Sequence, residues 1–314
     1  MDASIHNKPA ILHIGNTASV PYYISRAQRK LGIKSDVLSF YNPPYWKKID
    51  YYYLSKLPFP INRIFRLLWV LLFFRDYDIY HFHYESILFG LDLPLWKSFG
   101  KKIIIHYHGT DIRDKKENWF YSKNADLIFV STPDLLKYSK RARWLPNPID
   151  LDEINKVKEE TAINLKILHA PSKTRTKGSQ LIVPVLKSIP ETKAQIILVT
   201  NLEREKLLEV MKGSSVIIDQ MNEIGCYGML SIEAMAMGKT SLCSISEEYL
   251  KYFKQIPIIR INNQNLETQI KKILDGKYNL SEIGKQGKKY ISRFHDDLIV
   301  ARKIMHHMRM AKLC

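Results

Sequence analysis

The sequence predicts two successive doubly wound α/β units that meet near residue 150. Three observations carry that prediction. Short apolar runs alternate with loops and helical stretches along the whole chain. Those runs lack strict polar alternation, as strands buried on both faces do. The rhythm breaks once, at LPNPIDLDEI (Leu145 to Ile154), where Pro146 and Pro148 flank Asn147, and then restarts.

The elements follow in order. AILHI (Ala10 to Ile14) is a first strand, and Gly15 to Ser19 a small polar loop. A helix starts near Pro21, where a first-turn proline is acceptable, and stops before Gly32. DVLSF (Asp36 to Phe40) is the next strand, Asn62 to Phe74 a long helix, and DIYHFH (Asp78 to His83) a third strand. KKIIIHYH (Lys101 to His108) and ADLIFVS (Ala125 to Ser131) complete the first unit, assigned to residues 1–150. In the second, 151–292, LKILHA, AQIILVT, SSVIID, TSLCS and IPIIRI read as strands. Ser179 to Ser188 reads as a helix, Asn201 as the cap of a helix to Met211, and Gly228 as the start of the helix MLSIEAMAM. The last forty residues are helical and basic.

Composition narrows the function. The chain has 314 residues, 46% of them apolar, which excludes disorder and suffices for two cores. Net charge is +17, split evenly: 22 basic and 13 acidic residues up to position 150, 26 and 18 after it. Such a surplus suggests nucleic acid, a phosphorylated small molecule or an acidic membrane as partner. No zinc finger, RNA-recognition motif or heptad-bearing basic helix supports nucleic acid, which is not expected as a partner. Cys226, Cys243 and Cys314 form no CxxC pair, so a reducing, cytoplasmic setting is expected. The N-terminus lacks the pattern of a signal peptide. The longest apolar run, LLWVLLFF, is shorter than the about 20 residues of a membrane span.

Open parallel sheets bind ligands beyond the carboxyl ends of their strands, so the strand-to-helix loops are the places to search. One is HAPSKTRTKGS, His169 to Ser179, where Lys173, Arg175 and Lys177 crowd a loop before a helix. Backbone amides and cations there make a phosphate site, or simply a solvated basic loop. It is not a Walker A loop. The other is IGCYGMLSIEAMAMGKT, Ile224 to Thr240. Gly225 and Gly228 turn into a helix whose first amides, on Gly228, Met229 and Leu230, can face an anion. Glu233, near the second turn, can accept hydrogen bonds from vicinal hydroxyls, or can serve only the helix dipole.

Together these stretches resemble the nucleotide-sugar half of GT-B glycosyltransferases, in particular the retaining group called family 4. HYHGTDIR (His106 to Arg113), ADLIFVSTPDL and LPNPIDLDEI resemble that family's counterparts in the same order. The resemblance implies two Rossmann-like domains facing a central cleft, with the C-terminal helix, about 293–314, packing back on the first. It implies transfer of a sugar with retention, without a metal or other cofactor, from a nucleotide-sugar donor, uridine-linked, to a glycan or lipid-linked acceptor of a surface polysaccharide. Carried over, Lys177 would hold the donor diphosphate and Glu233 the ribose. His108 and Asp111 would be the catalytic candidates beside the anomeric carbon, and Gly15 and Asn16 the loop over the donor phosphates. Two positions depart from the pattern. Gly225 stands where the first signature glutamate is expected, and Ser172 where an arginine is common; Arg175 could supply that charge. A non-catalytic relative that binds a nucleotide sugar or a partner protein is the alternative.

Other signals have plainer readings. Asp76-Tyr77-Asp78 and Asp150-Leu151-Asp152 match a metal-binding DxD pattern but read as structural. His81/His83 and His106/His108 each share a strand face, yet no carboxylate or cysteine at matching spacing completes a zinc site. The helix INRIFRLLWVLLFFRDYD reads as a core helix packed on the first sheet, with an interfacial reading open. The aromatic, basic tract Pro43 to Arg63 is the better candidate for peripheral contact with an anionic membrane.

Overall fold

The computed structural model describes residues 8–41, 49–156, 164–172 and 174–314. Lys173 of the basic loop and residues 43–48 of the aromatic tract, with Lys47 and Lys48, lie outside the described residues. The chain divides into two compact units: Met1–Pro148 with Asp297–Cys314, and Ile149–Asp296.

The first unit is a seven-stranded parallel sheet. Its strands are β1 (Ile11–Ile14), β2 (Ser35–Ser39), β3 (Tyr51–Tyr52), β4 (Ile79–His83), β5 (Lys102–Tyr107), β6 (Leu127–Val130) and β7 (Arg143–Trp144), in the order β3-β2-β1-β4-β5-β6-β7. Successive side chains of a strand point to opposite faces, so each strand feeds two cores. On one face Leu12, Ile14, Tyr80, Phe82, Ile103 and Ile105 pack with Trp96, Val70 and Phe74. On the other, Ile11, Ile79, Ile104 and Phe129 meet Val20 and Ile24 and the late residues Val300, Ile304 and Met308.

The helices of this unit are α1 (Val20–Lys30), α2 (Ile61–Phe73), α3 (Leu93–Ser98) and α4 (Trp119–Asn124). Pro21 sits in the first turn of α1, and Gly32 follows that helix at a φ of +73°, a left-handed value natural to glycine. The core reading of α2 accounts for only half of it. Val70 is buried against the sheet, but Ile61, Ile64, Phe65, Leu68 and Leu72 are exposed. A window of apolar residues does not reveal that only one side of a helix finds cover.

The second unit carries α5 (Leu151–Asn155), β8 (Lys166–His169), α6 (Ser179–Lys187), β9 (Gln195–Leu198), α7 (Arg204–Lys212), β10 (Val216–Ile218), α8 (Met229–Ala236), β11 (Thr240–Cys243), β12 (Ile258–Arg260), α9 (Leu266–Leu274) and α10 (Leu280–Phe294). The strands form a parallel sheet in the order β12-β11-β10-β8-β9. The stretch where the rhythm breaks, Leu145 to Ile154, is structured: Asp150 caps α5 by accepting from Asp152 N–H at 3.0 Å, and Ile149 bridges to Asp296. Asn201 is not the cap of α7. It takes a left-handed φ of 55°, and Glu203 occupies the cap position. A final helix, α11 (Asp297–Met310), returns to the first unit and packs on α1, where Arg26 lies 3.9 Å from Asp297.

Candidate functional site

In the second unit the loops after β8 and β10 and the start of α8 converge on one carboxylate. Asp219 follows β10 and is fully buried. Its Oδ1 accepts from Lys177 Nζ at 2.9 Å; its Oδ2 accepts from Gly228 N–H at 2.7 Å and Ser231 O–H at 2.9 Å. Burial alone pushes the Asp219 carboxyl up, but the Lys177 ammonium and the two other donors outweigh it and hold it below the usual carboxylate range. Lys177 also donates to Gln220 Oε1 at 2.6 Å, and its side chain remains 21% exposed. The ammonium is thus fixed at the mouth of the site, beside the first turn of α8.

Glycines make this approach feasible. A Cβ on Gly228 would lie 3.0 Å from both Asp219 Oδ2 and Lys177 Nζ. Gly178, at a φ of +73°, lies so close to Met221 that a Cβ would stand 1.9 Å from its carbonyl oxygen. The first-turn amides of α8, including Met229 and Leu230, have no acceptor within the helix itself. Cation and helix N-terminus therefore combine as a phosphate site would require.

The other predicted residues of this unit fall around that cluster. Ser172 and Arg175 are exposed on the loop after β8. Glu233 is buried on α8, and its Oε1 takes a short contact from Arg204, the first residue of α7. Gly225 has a φ of +66°, and a Cβ there would stand 1.9 Å from Ser246 Oγ. The backbone at the expected first glutamate is therefore shaped for glycine. Ser246 also borders a cavity of about 780 Å³, lined by Asn222, Ser244, Ile259, Arg260 and Asn265 among others. That lining includes neither Lys177 nor Glu233.

In the first unit the carboxyl ends of β1, β4 and β5 carry a row of imidazoles. His13 Nε2 lies 2.8 Å from Gln28 Oε1, His13 Nδ1 3.0 Å from His83 Nε2, His83 Nδ1 3.0 Å from His108 Nε2, and His108 Nδ1 2.8 Å from Ser131 Oγ. A neutral imidazole has one donor and one acceptor. With Gln28 Oε1 accepting, His13 donates through Nε2, and the polarity runs outward: His83 Nε2–H donates to His13, His108 Nε2–H to His83, and Ser131 O–H to His108. Burial lowers His13 to about 4 and His108 to about 3, and lowers His81, His83 and His106 as well, so the row is neutral. Both ring nitrogens of His108 are used within the row.

His81 stacks on His83 at 4.3 Å, and neither of its ring nitrogens has a hydrogen-bond partner among the described residues. Two sets, His13/His81/His83 and His83/His106/His108, have donor atoms within 4.8 Å and are the described groups that could hold a metal ion. Gly15, at a φ of +103°, abuts the end of β4, where a Cβ would stand 2.7 Å from the His83 carbonyl oxygen. Asn16 beside it is buried. Asp111 spends its carboxylate on its own loop, accepting from His108 N–H and Gly109 N–H at 2.7 Å each and from Ile112 N–H at 3.1 Å. Burial raises its pKa against those donors.

Residues 17–153 match the family model of Glycosyltransferase Family 4. No curated protein matches the chain. Solved structures do. A glycosyltransferase from Rickettsia africae ESF-5 is 14% identical, with 98% of this chain and 99% of that chain covered and a TM-score of 0.69. Anabaena Alr3699/HepE in complex with UDP and glucose is 11% identical over 96% and 99%, with a TM-score of 0.70. Sucrose-phosphate synthase from Thermosynechococcus elongatus is 14% identical over 96% and 98%, also at 0.70. At such identities the likeness is one of fold, and the fold is GT-B.

The matched segment contains all of the histidine row except His13, which lies before it. Three contributors to these clusters are not singled out by the sequence: Asp219, Arg204 and the His13–Gln28 end of the row. Only Asp219 carried a usable signal. A carboxylate closing an apolar strand, SSVIID, is a charge headed for burial and needs a cation.

Proposed function

We propose that this chain transfers a sugar, with retention of configuration, from a nucleotide-sugar donor to a glycan or lipid-linked acceptor of a surface polysaccharide. The Lys177–Asp219–Gly228 cluster carries the reading. It holds an ammonium beside a helix N-terminus with a buried anion behind it, so the cation is aimed and only partly neutralised. A uridine-linked donor is favoured because HepE, of the same fold, was crystallised with UDP and glucose.

In the reaction the bond between the anomeric carbon and the diphosphate oxygen breaks and a bond to the acceptor oxygen forms. The acceptor's proton passes to the departing diphosphate. Lys177, Arg175 and the amides of Met229 and Leu230 meet the charge that develops there. Gly228 N–H is committed to Asp219 and serves the cluster rather than the substrate. Glu233, paired with Arg204, offers the ribose contact. In the first unit Asp111 holds the His108–Gly109 backbone, and Gly15 and Asn16 form the loop that follows β1.

A second reading, a binding module without turnover, is favoured by one observation: Ser246 occupies the space a side chain at Gly225 would need. A panel of nucleotide sugars, read by thermal shift and by release of nucleoside diphosphate, separates the two. Stabilisation with release is expected. Stabilisation without release, even with candidate acceptors, supports the binding module, and no response to any donor refutes both. Lys177 also neutralises Asp219, so Lys177→Ala alone would confound binding with stability. The double variant Lys177→Met/Asp219→Asn removes both charges together; it is expected to keep its fold and lose the donor-induced shift.

A further inference from the structure

Helix α2, INRIFRLLWVLLF, has apolar residues around its whole circumference, yet the sheet covers only part of it. Val70 and the following Phe74 are buried, with Leu67, Trp69 and Leu71 partly covered. Ile61, Ile64, Phe65, Leu68 and Leu72 stand between 46% and 69% exposed. At the turn of a helix these five fall within about 100° of arc, one continuous stripe of the kind that ordinarily meets a core. The loop before the helix extends the surface: Leu54, Leu57 and Phe59 are 63%, 40% and 71% exposed. The Phe59 ring lies 6.4 Å from that of Phe89, itself 44% exposed. A contiguous apolar surface of this breadth marks an interaction face.

Charge selects the occupant. From Tyr51 to Arg75 the chain carries Lys56, Arg63, Arg66 and Arg75 and no acidic residue. Arg63 turns back to the Ile87 carbonyl at 2.7 Å and to Glu85 at 2.6 Å, and Arg66 lies over the Phe40 ring at 4.7 Å. Lys56 and Arg75 remain exposed at the margins of the stripe. A second copy joined through the same face would set the exposed cations Lys56 and Arg75 against their own like charges, with the nearby carboxylate of Glu85 already paired to Arg63. The boundary between headgroups and acyl chains of an anionic bilayer offers what this face lacks: apolar depth with negative charge at the rim. The helix has 13 residues, about 20 Å, too short to cross, and no described helix is long and apolar enough to do so.

We propose that α2 and the 54–59 loop dock the first unit in the plane of an anionic lipid surface. The docking is independent of donor binding in the second unit, so the two readings fail separately. Co-sedimentation with phosphatidylglycerol–phosphatidylcholine vesicles, against phosphatidylcholine alone, tests it. Binding is expected only with the anionic vesicles and falls as salt is raised. Leu68→Glu/Leu72→Glu is expected to weaken partition about tenfold or more. Its thermal unfolding should match the parent, since both side chains already face water. The proposal is overturned if the parent ignores anionic vesicles or if the double variant binds as the parent does. It is equally overturned if sedimentation shows a dimer that the variant dissolves, which would assign the face to a second copy.

Discussion

Each sheet ends in buried polar groups, and the two units treat them in opposite ways. The second unit buries a charge. Asp219 stays ionised because an ammonium, an amide and a hydroxyl all point at it. The first unit buries four imidazoles, half-buries His108 and keeps all five neutral, linking three in a directional row and leaving the His81 nitrogens without a partner among the described residues. A buried charge persists only where donors saturate it; a group with an accessible neutral form gives up its charge instead. The first arrangement is costly to break at any pH where the pair is ionised. The second is costly to protonate.

The largest effect is expected from breaking the charged cluster on one side only. Asp219→Ala leaves Gly228 N–H and Ser231 O–H without this acceptor and Lys177 with Gln220 Oε1 but no counter-charge. Removing one partner of a buried pair costs about 3–5 kcal/mol. Urea unfolding followed by a probe in the second unit should show a loss of that size, while Lys177→Met/Asp219→Asn should lose less than half as much. Equal losses would mean that the charges do not act as a unit.

Acid should separate the units next. His13 titrates near 4 in the folded chain against 6.5 unfolded, so the unfolded chain holds more protons between those values. The neutral row's contribution is therefore complete above about 6.5 and is lost as pH falls toward 4, worth about 3 kcal/mol for His13 alone. Asp219 is shifted the other way: its contribution is present above the ordinary carboxylate pKa and is lost only as pH falls through its lower folded value. Between pH 6.5 and 4 the first unit should weaken while the cluster of the second holds. Tryptophan fluorescence, all of it from the first 150 residues, follows the first unit during such a titration. Parallel loss of both units would break the contrast.

The inner strands of both units were legible because burial on both faces demands apolar runs, whereas the two-residue edge strands β3 and β7 were not; Gly228 was legible as the start of α8. What escaped was pairing across distance. Lys177 reads as a cation and Asp219 as the end of a strand; nothing local says that 42 residues of chain bring them to 2.9 Å. The same holds for Glu233 and Arg204, 29 residues apart. Helix α2 failed for a different reason. Its composition announces burial, but how much of a helix a sheet can cover is a property of the neighbours and not of the helix.

The smallest effect is the sharpest test of the imidazole row, because it asks whether every histidine there belongs to it. His81 lies among His13, His83 and His106, at ring distances of 4.8, 4.3 and 5.6 Å, but hydrogen-bonds to none of them. An unsatisfied buried polar group gains nothing from burial, so an apolar residue of similar size should replace it at little cost or with a gain. His81→Leu is expected to unfold within about 1 kcal/mol of the parent and to lose acid sensitivity as one titrating group disappears. His83→Leu removes the central link and should cost clearly more, since His13 Nδ1 and His108 Nε2–H both lose their partner. If His81→Leu destabilised as much as His83→Leu, stacking rather than the directional hydrogen bonds would be holding the row together.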